Sequence, residues 1–441
     1  MRSRLRRICI VALLGALPVA ALYAQEATWL GDVQVAAQDA VSSTDPALSS
    51  AVGMGPGTQG LAGVVQLDLH GRLTYPMGQL SVIDAATWWQ GSDGGALQND
   101  LQQAWVSCAP DPALTIVVGK QRIPWATGYA FFPGDRINPP MNPQDRAEGF
   151  YGVSATLAPS ASFSLAAVVR MDSALAPVST LPGLAYPAGD GAASLPFLAP
   201  YVHAAPADPW LDLRYAIYAE AFLGSLDLHA AVTWQPARVL RPTAGFSLDV
   251  LGFILDGSVA VELQDRNLYP QPDGTYSSPA FGVPFPAATA GVQRTVSWET
   301  GSFAVTLEYL YDGTGYDPDQ EARFLGDLET ALGAGSGSSL AAGSLASGAW
   351  FSSGEIVPAL GRHYGAVSLG ALVSRWFAAD AALVINLQDL SVAVQADLVL
   401  TPLDGIDLFI RAIGAGGPSR RTEFASLPVT VVATAGATVH F

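Results

Sequence analysis

Segment after segment of this chain alternates apolar and polar residues with a period of two. From Leu211, the apolar set Leu211, Leu213, Tyr215, Ile217 and Ala219 opposes Asp212, Arg214, Ala216, Tyr218 and Glu220. From Ser302, Phe303, Val305, Leu307, Tyr309 and Tyr311 oppose Ala304, Thr306, Glu308 and Asp312, with Leu310 the one intruder. Leu226, Leu228 and Val232 oppose Asp227, His229 and Thr233, and Val392, Val394, Leu398 and Leu400 oppose Ser391, Gln395 and Asp397. The last segment alternates from Val429 through Val431 to Val439 and Phe441. Successive side chains of a strand point to opposite faces, so each of these segments reads as a strand with one apolar side.

Half the residues are apolar and 13% are charged. Past the N-terminus, no stretch reaches the ~18 uninterrupted apolar residues a membrane helix requires, which excludes a helical transporter. A soluble β-sandwich also alternates, but three features favour a transmembrane barrel. The runs reach about 10 residues, the length of a tilted membrane-crossing strand, where soluble strands average ~5–6. Aromatics fall towards segment ends (Trp88, Trp89, Trp234, Tyr309, Tyr311, Trp376, Phe377), as interfacial girdles do. Tight and long connections alternate, for which a sandwich has no reason. The formal charge of −17 leaves no basic face for nucleic acid, and no repeat of 20–50 residues recurs.

The first 24 residues read as a cleaved export signal: Arg2, Arg4, Arg6 and Arg7, then an apolar stretch from Ile8 to Ala24 broken by Gly15 and Pro18, with cleavage before Gln25. Removing four of 21 basic and none of 38 acidic residues leaves 17 − 38 = −21 on residues 25–441. That portion keeps a single cysteine, Cys108, so it has no intramolecular disulfide.

Strands are expected near 62–74, 78–90, 100–109, 112–122, 149–159, 161–171, 210–222, 224–235, 241–250, 252–264, 290–299, 301–312, 362–376, 378–388, 390–401, 403–414 and 428–441. Long connections fall at 123–148, 172–209, 265–289, 313–361 and 415–427. Outer-membrane barrels keep short turns on the periplasmic side and long loops outside. On that rule the first of these strands descends, so an ascending strand precedes it, and 28–38 is the candidate. The expectation is therefore an all-β, antiparallel, up-and-down transmembrane barrel of about 18 strands, 16 being the nearest alternative. Such a barrel is wide enough for an aqueous lumen.

The export signal, the alternating strands and the terminal aromatic Phe441, preceded alternately by Val439, Ala437, Ala435, Ala433 and Val431, resemble a bacterial outer-membrane β-barrel. That resemblance implies outer-membrane lipid as surroundings and recognition of Phe441 by the barrel-assembly machinery. A narrower stretch, GKQRIPWATGYAFFPGDRINPP from Gly119 to Pro140, is similar to a motif of porin-like families. There a strand ending in Gly-Lys/Arg-Gln-Arg passes through Trp-Gly into an Asp-x-x-Asn-Pro loop; here Ala126 stands in place of that glycine. The implied partners are small hydrophilic solutes.

On this reading the polar parity faces a lumen lined by Asp68, His70, Arg72, Arg170, Asp212, Arg214, Glu220, Asp227, His229, Asp249, Asp256, Glu262, Glu308, Asp397, Asp407 and Arg411. Its acidic excess should favour cations. Folded inward, segment 123–148 is the candidate constriction, with Arg122, Trp125, Asp135, Arg136, Asp145, Arg146 and Glu148 as its residues. Asp312, Asp317, Asp319 and Glu321 read as a solvated acidic loop whose spacing does not match a calcium-binding EF-hand. No catalytic triad, phosphate-binding glycine loop or Cys/His metal cluster is legible, and no cofactor is implied. A passive diffusion channel is the first expectation. A non-conducting barrel whose large loops bind a surface partner is the second.

Overall fold

The computed structural model describes residues 26–42, 62–91, 94–123, 125, 131, 137–138, 149–171, 213–235, 240–263, 269–277, 282–333, 360–419, 422–424 and 429–440. Eighteen antiparallel strands form one sheet. They are β1 (Glu26–Ser42), β2 (Ala62–Tyr75), β3 (Gly78–Gly91), β4 (Gly94–Asp111), β5 (Leu114–Gln121), β6 (Phe150–Ser160), β7 (Phe163–Arg170), β8 (Arg214–Leu223), β9 (Leu226–Trp234), β10 (Leu240–Val250) and β11 (Phe253–Glu262). After a two-stranded hairpin, β12 (Tyr269–Pro270) and β13 (Tyr276–Ser277), follow β14 (Phe285–Trp298), β15 (Gly301–Asp312), β16 (His363–Ser374), β17 (Phe377–Asn386), β18 (Val392–Leu403), β19 (Ile406–Gly416) and β20 (Val429–His440). Neighbours in sequence pair, and β1 pairs with both β2 and β20, so the sheet closes on itself without an edge. Closure satisfies every ladder group internally, the condition for a sheet in hydrocarbon.

The ladder register confirms the faces. One parity is apolar and exposed: Ile217 is 59% exposed, Val259 56%, Leu307 48% and Ile410 57%. A soluble protein does not carry so continuous an apolar surface. Aromatics rim this outer belt at both ends, with Trp88, Trp234 and Tyr309 near the long-loop end and Trp298 and Trp376 near the short-turn end, all of them exposed. Arg294 is an outward charge, but it sits four residues from the end of β14 and lies over the Phe253 ring at 4.5 Å. Near a rim, a long side chain lays its stem on apolar surface and keeps its charge in polar surroundings.

Differences from the sequence reading concentrate at the long-loop end. β14 starts at Phe285, five residues before the expected strand, and the hairpin β12–β13 occupies part of the segment read as a loop. In the segment read as a solvated acidic loop, residues Pro318–Gly333 form helix α1. Asp317 caps it: its Oδ1 accepts from Gln320 N at 2.9 Å while Gln320 Oε1 accepts from Asp317 N at 3.0 Å, a reciprocal capping box. Glu321 on that helix is only 3% exposed, a correction to its reading as a solvated carboxylate.

Candidate functional site: the inner face and the segment after β5

Cross-strand partners share a face, so register sorts the inward side chains into rows. One row runs Asp227, Ser247, Asp256, Gly291 and Glu308 across β9, β10, β11, β14 and β15. The next runs Ser164, Glu220, His229, Gly245, Ser258, Thr289, Leu310 and Tyr364, from β7 to β16. Glycines in these rows are sockets. A Cβ on Gly291 would stand 2.5 Å from Asp256 Oδ2, and one on Gly245 would collide with the His229 ring. The two titratable side chains therefore lie flat along the wall. Asp256 is 4% exposed, and neither of its carboxylate oxygens has a hydrogen-bond partner among the described residues. A carboxylate buried without donors carries a large desolvation cost for its charge.

Elsewhere on the inner face, several charges are paired or hydrogen-bonded. Arg241 on β10 pairs with Glu262 on β11. Arg411 pairs with Asp397 at 2.5 Å between β19 and β18. Gln66 donates to both oxygens of Asp68, and Ser164 and Tyr218 donate to Glu220, each at 3.4 Å. At the seam that closes the barrel, His440 on β20 lies between Asp32 of β1 at 2.5 Å and Asp407 of β19 at 2.9 Å.

The segment between β5 and β6 enters the barrel at three described points. Gly119, at φ +132°, brings the β5 backbone so close to β4 that any Cβ would run into the Ala104 carbonyl. Lys120 Nζ donates to Leu101 O at 2.6 Å, and Gln121 accepts from Ser154 Oγ at 2.8 Å. The Gly-Lys-Gln run is thus a structural terminus for β5. Asn138 then clasps the segment back to its start, accepting from Ile123 N at 2.9 Å and donating to Ile123 O at 2.5 Å, while Arg170 Nη1 donates to Ile137 O at 2.6 Å.

The apolar side chains of the segment fix where it goes. Trp125 stacks on Tyr218 of β8, with ring centroids 5.3 Å apart and planes 5° apart. It shares a cluster with Ile137, Phe150, Ala166, Val168, Ala216 and Ala231, all on the inner faces of β6 to β9 or within the segment. Phe131, 1% exposed, packs instead with Leu310, Tyr364, Ala366, Val384 and Ala393 on the inner faces of β15 to β18. Its backbone N–H donates to Glu308 Oε2 at 3.3 Å. Around the ring of 18, β15 stands eight places from β5, so a segment that leaves β5 and returns to β6 touches the far wall at Phe131. Leu310, the intruder in an otherwise polar parity, is the floor on which Phe131 sits.

Of the residues expected in the site, Asp68, His70, Arg72, Arg170, Arg214, Glu220, Asp227, His229, Asp249, Asp256, Glu262, Glu308, Asp397, Asp407 and Arg411 lie on the inward register. Arg122 and Trp125 stand where β5 ends. Asp135, Arg136, Asp145, Arg146, Glu148, Asp212 and Phe441 lie outside the described residues. The reading missed Asp32, Arg241, Asp380 and His440 on the inner face; alternation alone finds them once the strand containing each is placed. Among the described residues, no group of three or more His, Cys, Asp or Glu side chains has the arrangement of a metal site.

Solved structures share this architecture. A crystal structure of Pseudomonas aeruginosa OccK5 (OpdH) superposes with a TM-score of 0.52 at 8% identity, covering 95% of this chain and 99% of that one. A BenF-like porin from Pseudomonas fluorescens Pf-5 gives a TM-score of 0.50 at 10% identity, with 95% and 99% covered. At such identities the likeness is one of fold. No protein-family model matches the sequence, and no curated protein does.

Proposed function

We propose that this chain is an outer-membrane channel through which small hydrophilic solutes diffuse passively, with a preference for cations. Residues 1–24 are its export signal, and 25–441 the barrel in outer-membrane lipid, delivered there by the assembly machinery through Phe441. The observation that carries the reading is the path of the segment after β5, pinned by Trp125 to one stretch of the inner wall and by Phe131 to the wall across from its origin. A segment so placed would narrow the lumen. Asp135, Arg136, Asp145, Arg146 and Glu148, on the same segment, would put charges of both signs into that passage. The mechanism is sieving by size with electrostatic bias and has no chemical step. The cation preference is supported by the acidic excess of the inward register, where Arg241 and Arg411 are each paired with a carboxylate. Charged walls bias which ions pass.

The test is electrical. Residues 25–441, refolded into a planar bilayer, should give stable current steps whose reversal potential across a KCl gradient has the sign of a cation-preferring pore. A folded barrel that never conducts would instead support the binding-barrel alternative.

A further inference from the structure

Three chain-distant segments meet at the long-loop end of β16 and β17 through buried carboxylates. Glu321 of α1 is 3% exposed, Glu423 of the β19–β20 connection 0%, and Asn386 at the end of β17 0%. Asn386 Nδ2 donates to both acids, to Glu321 Oε1 at 2.8 Å and Glu423 Oε2 at 2.6 Å. Gln388 Nε2 donates to Glu321 Oε2 at 3.0 Å, and Tyr364 OH to Glu423 Oε2 at 2.8 Å. A third carboxylate, Asp389, accepts from Glu423 N. The donors to Glu321 and Glu423 include neutral amides, a phenol and the Leu360 N–H. Arg362, the described cation nearest in sequence to Tyr364, turns away: its Nε donates to Gly315 O at 2.9 Å and its Nη2 stands 4.0 Å from Asp317. Asp319, Arg323 and Asp327 are the other charges over residues 318–327 of α1, and none is among the described partners of these acids.

Tyr364 and Asn386 belong to the inward parity, so Glu321 and Glu423 reach them from inside the mouth of the barrel. Phe424, next to Glu423, packs in the same cluster as Phe131. From this geometry we infer that Glu321 and Glu423, with the Asp389 carboxylate beside them, form a proton-dependent latch: protonated, the two glutamates hold α1 and residues 422–424 inside the mouth, and on losing their protons they release both, along with the support of Phe131.

Burial first, then the Glu423 and Asp389 carboxylates, raises Glu321 to about 8, and burial above all raises Glu423 to about 8. The sign follows from linkage. In the released state both acids have ordinary values, so the closed state holds protons that the released state gives up between the ordinary carboxylate range and about pH 8. Within that window rising pH favours release, by up to tenfold per unit for each proton held. Below it both states are protonated, and above it both are ionised, so the ratio levels off at each end.

The inference rests on the channel reading for its electrical readout, so hydrogen exchange is measured alongside current. Between pH 5.5 and 8.5 at the loop side of a bilayer, the ratio of narrow to wide current levels should fall roughly two-hundredfold for one proton held. Amides of 316–325 and 422–424 in refolded protein should lose protection over the same range, after correction for intrinsic exchange. The double variant Glu321→Gln and Glu423→Gln keeps size and hydrogen-bonding capacity while removing the titration; it should stay narrow and protected throughout. Asn386→Asp, which adds a fourth carboxylate, should shift release to lower pH. A wild-type ratio constant within twofold, or a double variant with the wild-type slope, overturns the latch. Loss of protection in a protein that carries no current at any pH supports the latch and refutes the channel.

Discussion

Phe131→Ala tests whether the segment after β5 is held across the barrel by one side chain. The ring is 1% exposed and packs with Leu310, Tyr364, Val384 and Phe424. Truncating a buried phenylalanine costs about 3–5 kcal/mol. Because Phe131 lies in a connection, that loss falls on docking of the segment and leaves the strand ladder of β15 to β18 paired. The remaining N–H bond to Glu308, at 3.3 Å, contributes about 1 kcal/mol or less. With tenfold per 1.4 kcal/mol, the ratio of docked to undocked segment drops roughly 100- to 4,000-fold. Single-channel recording should show a larger mean conductance with rapid flicker, and gel heat-modifiability should report an intact barrel. If the variant is folded and its current matches wild type in amplitude and noise, Phe131 does not position a constriction and the reasoning fails.

Three further outcomes follow from the inner wall. Asp249→Asn removes an exposed carboxylate on the inward register, so the reversal potential in a KCl gradient should move towards zero while the fold is kept. Arg411→Ala frees Asp397 from its ion pair, so cation preference should increase; a shift towards anions would contradict the assignment of the wall charges. Gly119→Ala forces a side chain into a left-handed backbone position against the Ala104 carbonyl, which should cost about 1–3 kcal/mol or more. It should therefore lower the temperature at which the folded gel band is lost.

Period-two patterning made the strands legible because a closed sheet between apolar surroundings and an inner face imposes it residue by residue. It even supplied β1: the parity of turns required a strand before Ala62, and Glu26–Ser42 closes the ring. The same rule misjudged what does not alternate. Leu310 broke the pattern with no visible cause, since its partner, Phe131, is 179 positions away in the chain and belongs to no strand. Helix α1 was hidden by an acidic, glycine-flanked sequence whose cap at Asp317 was legible but whose burial depends on Asn386 and Gln388. Glu321 and Glu423 look like surface residues because burial of a carboxylate is decided by the donors that surround it, and those come from three other segments. The His440 bridge likewise exists only once β20 lies beside β1 and β19.

The central claim, that the segment after β5 reaches the far wall of a conducting barrel, is tested most directly by tethering the two. A photoreactive phenylalanine analogue at position 131, which keeps the aromatic ring, would be cross-linked by irradiation before single-channel recording. The account predicts a cross-linked peptide linking 131 to 310 and a conductance fixed at its narrow level, with flicker suppressed. A folded barrel whose photoproducts never join position 131 to the inner faces of β15 to β18 would contradict it.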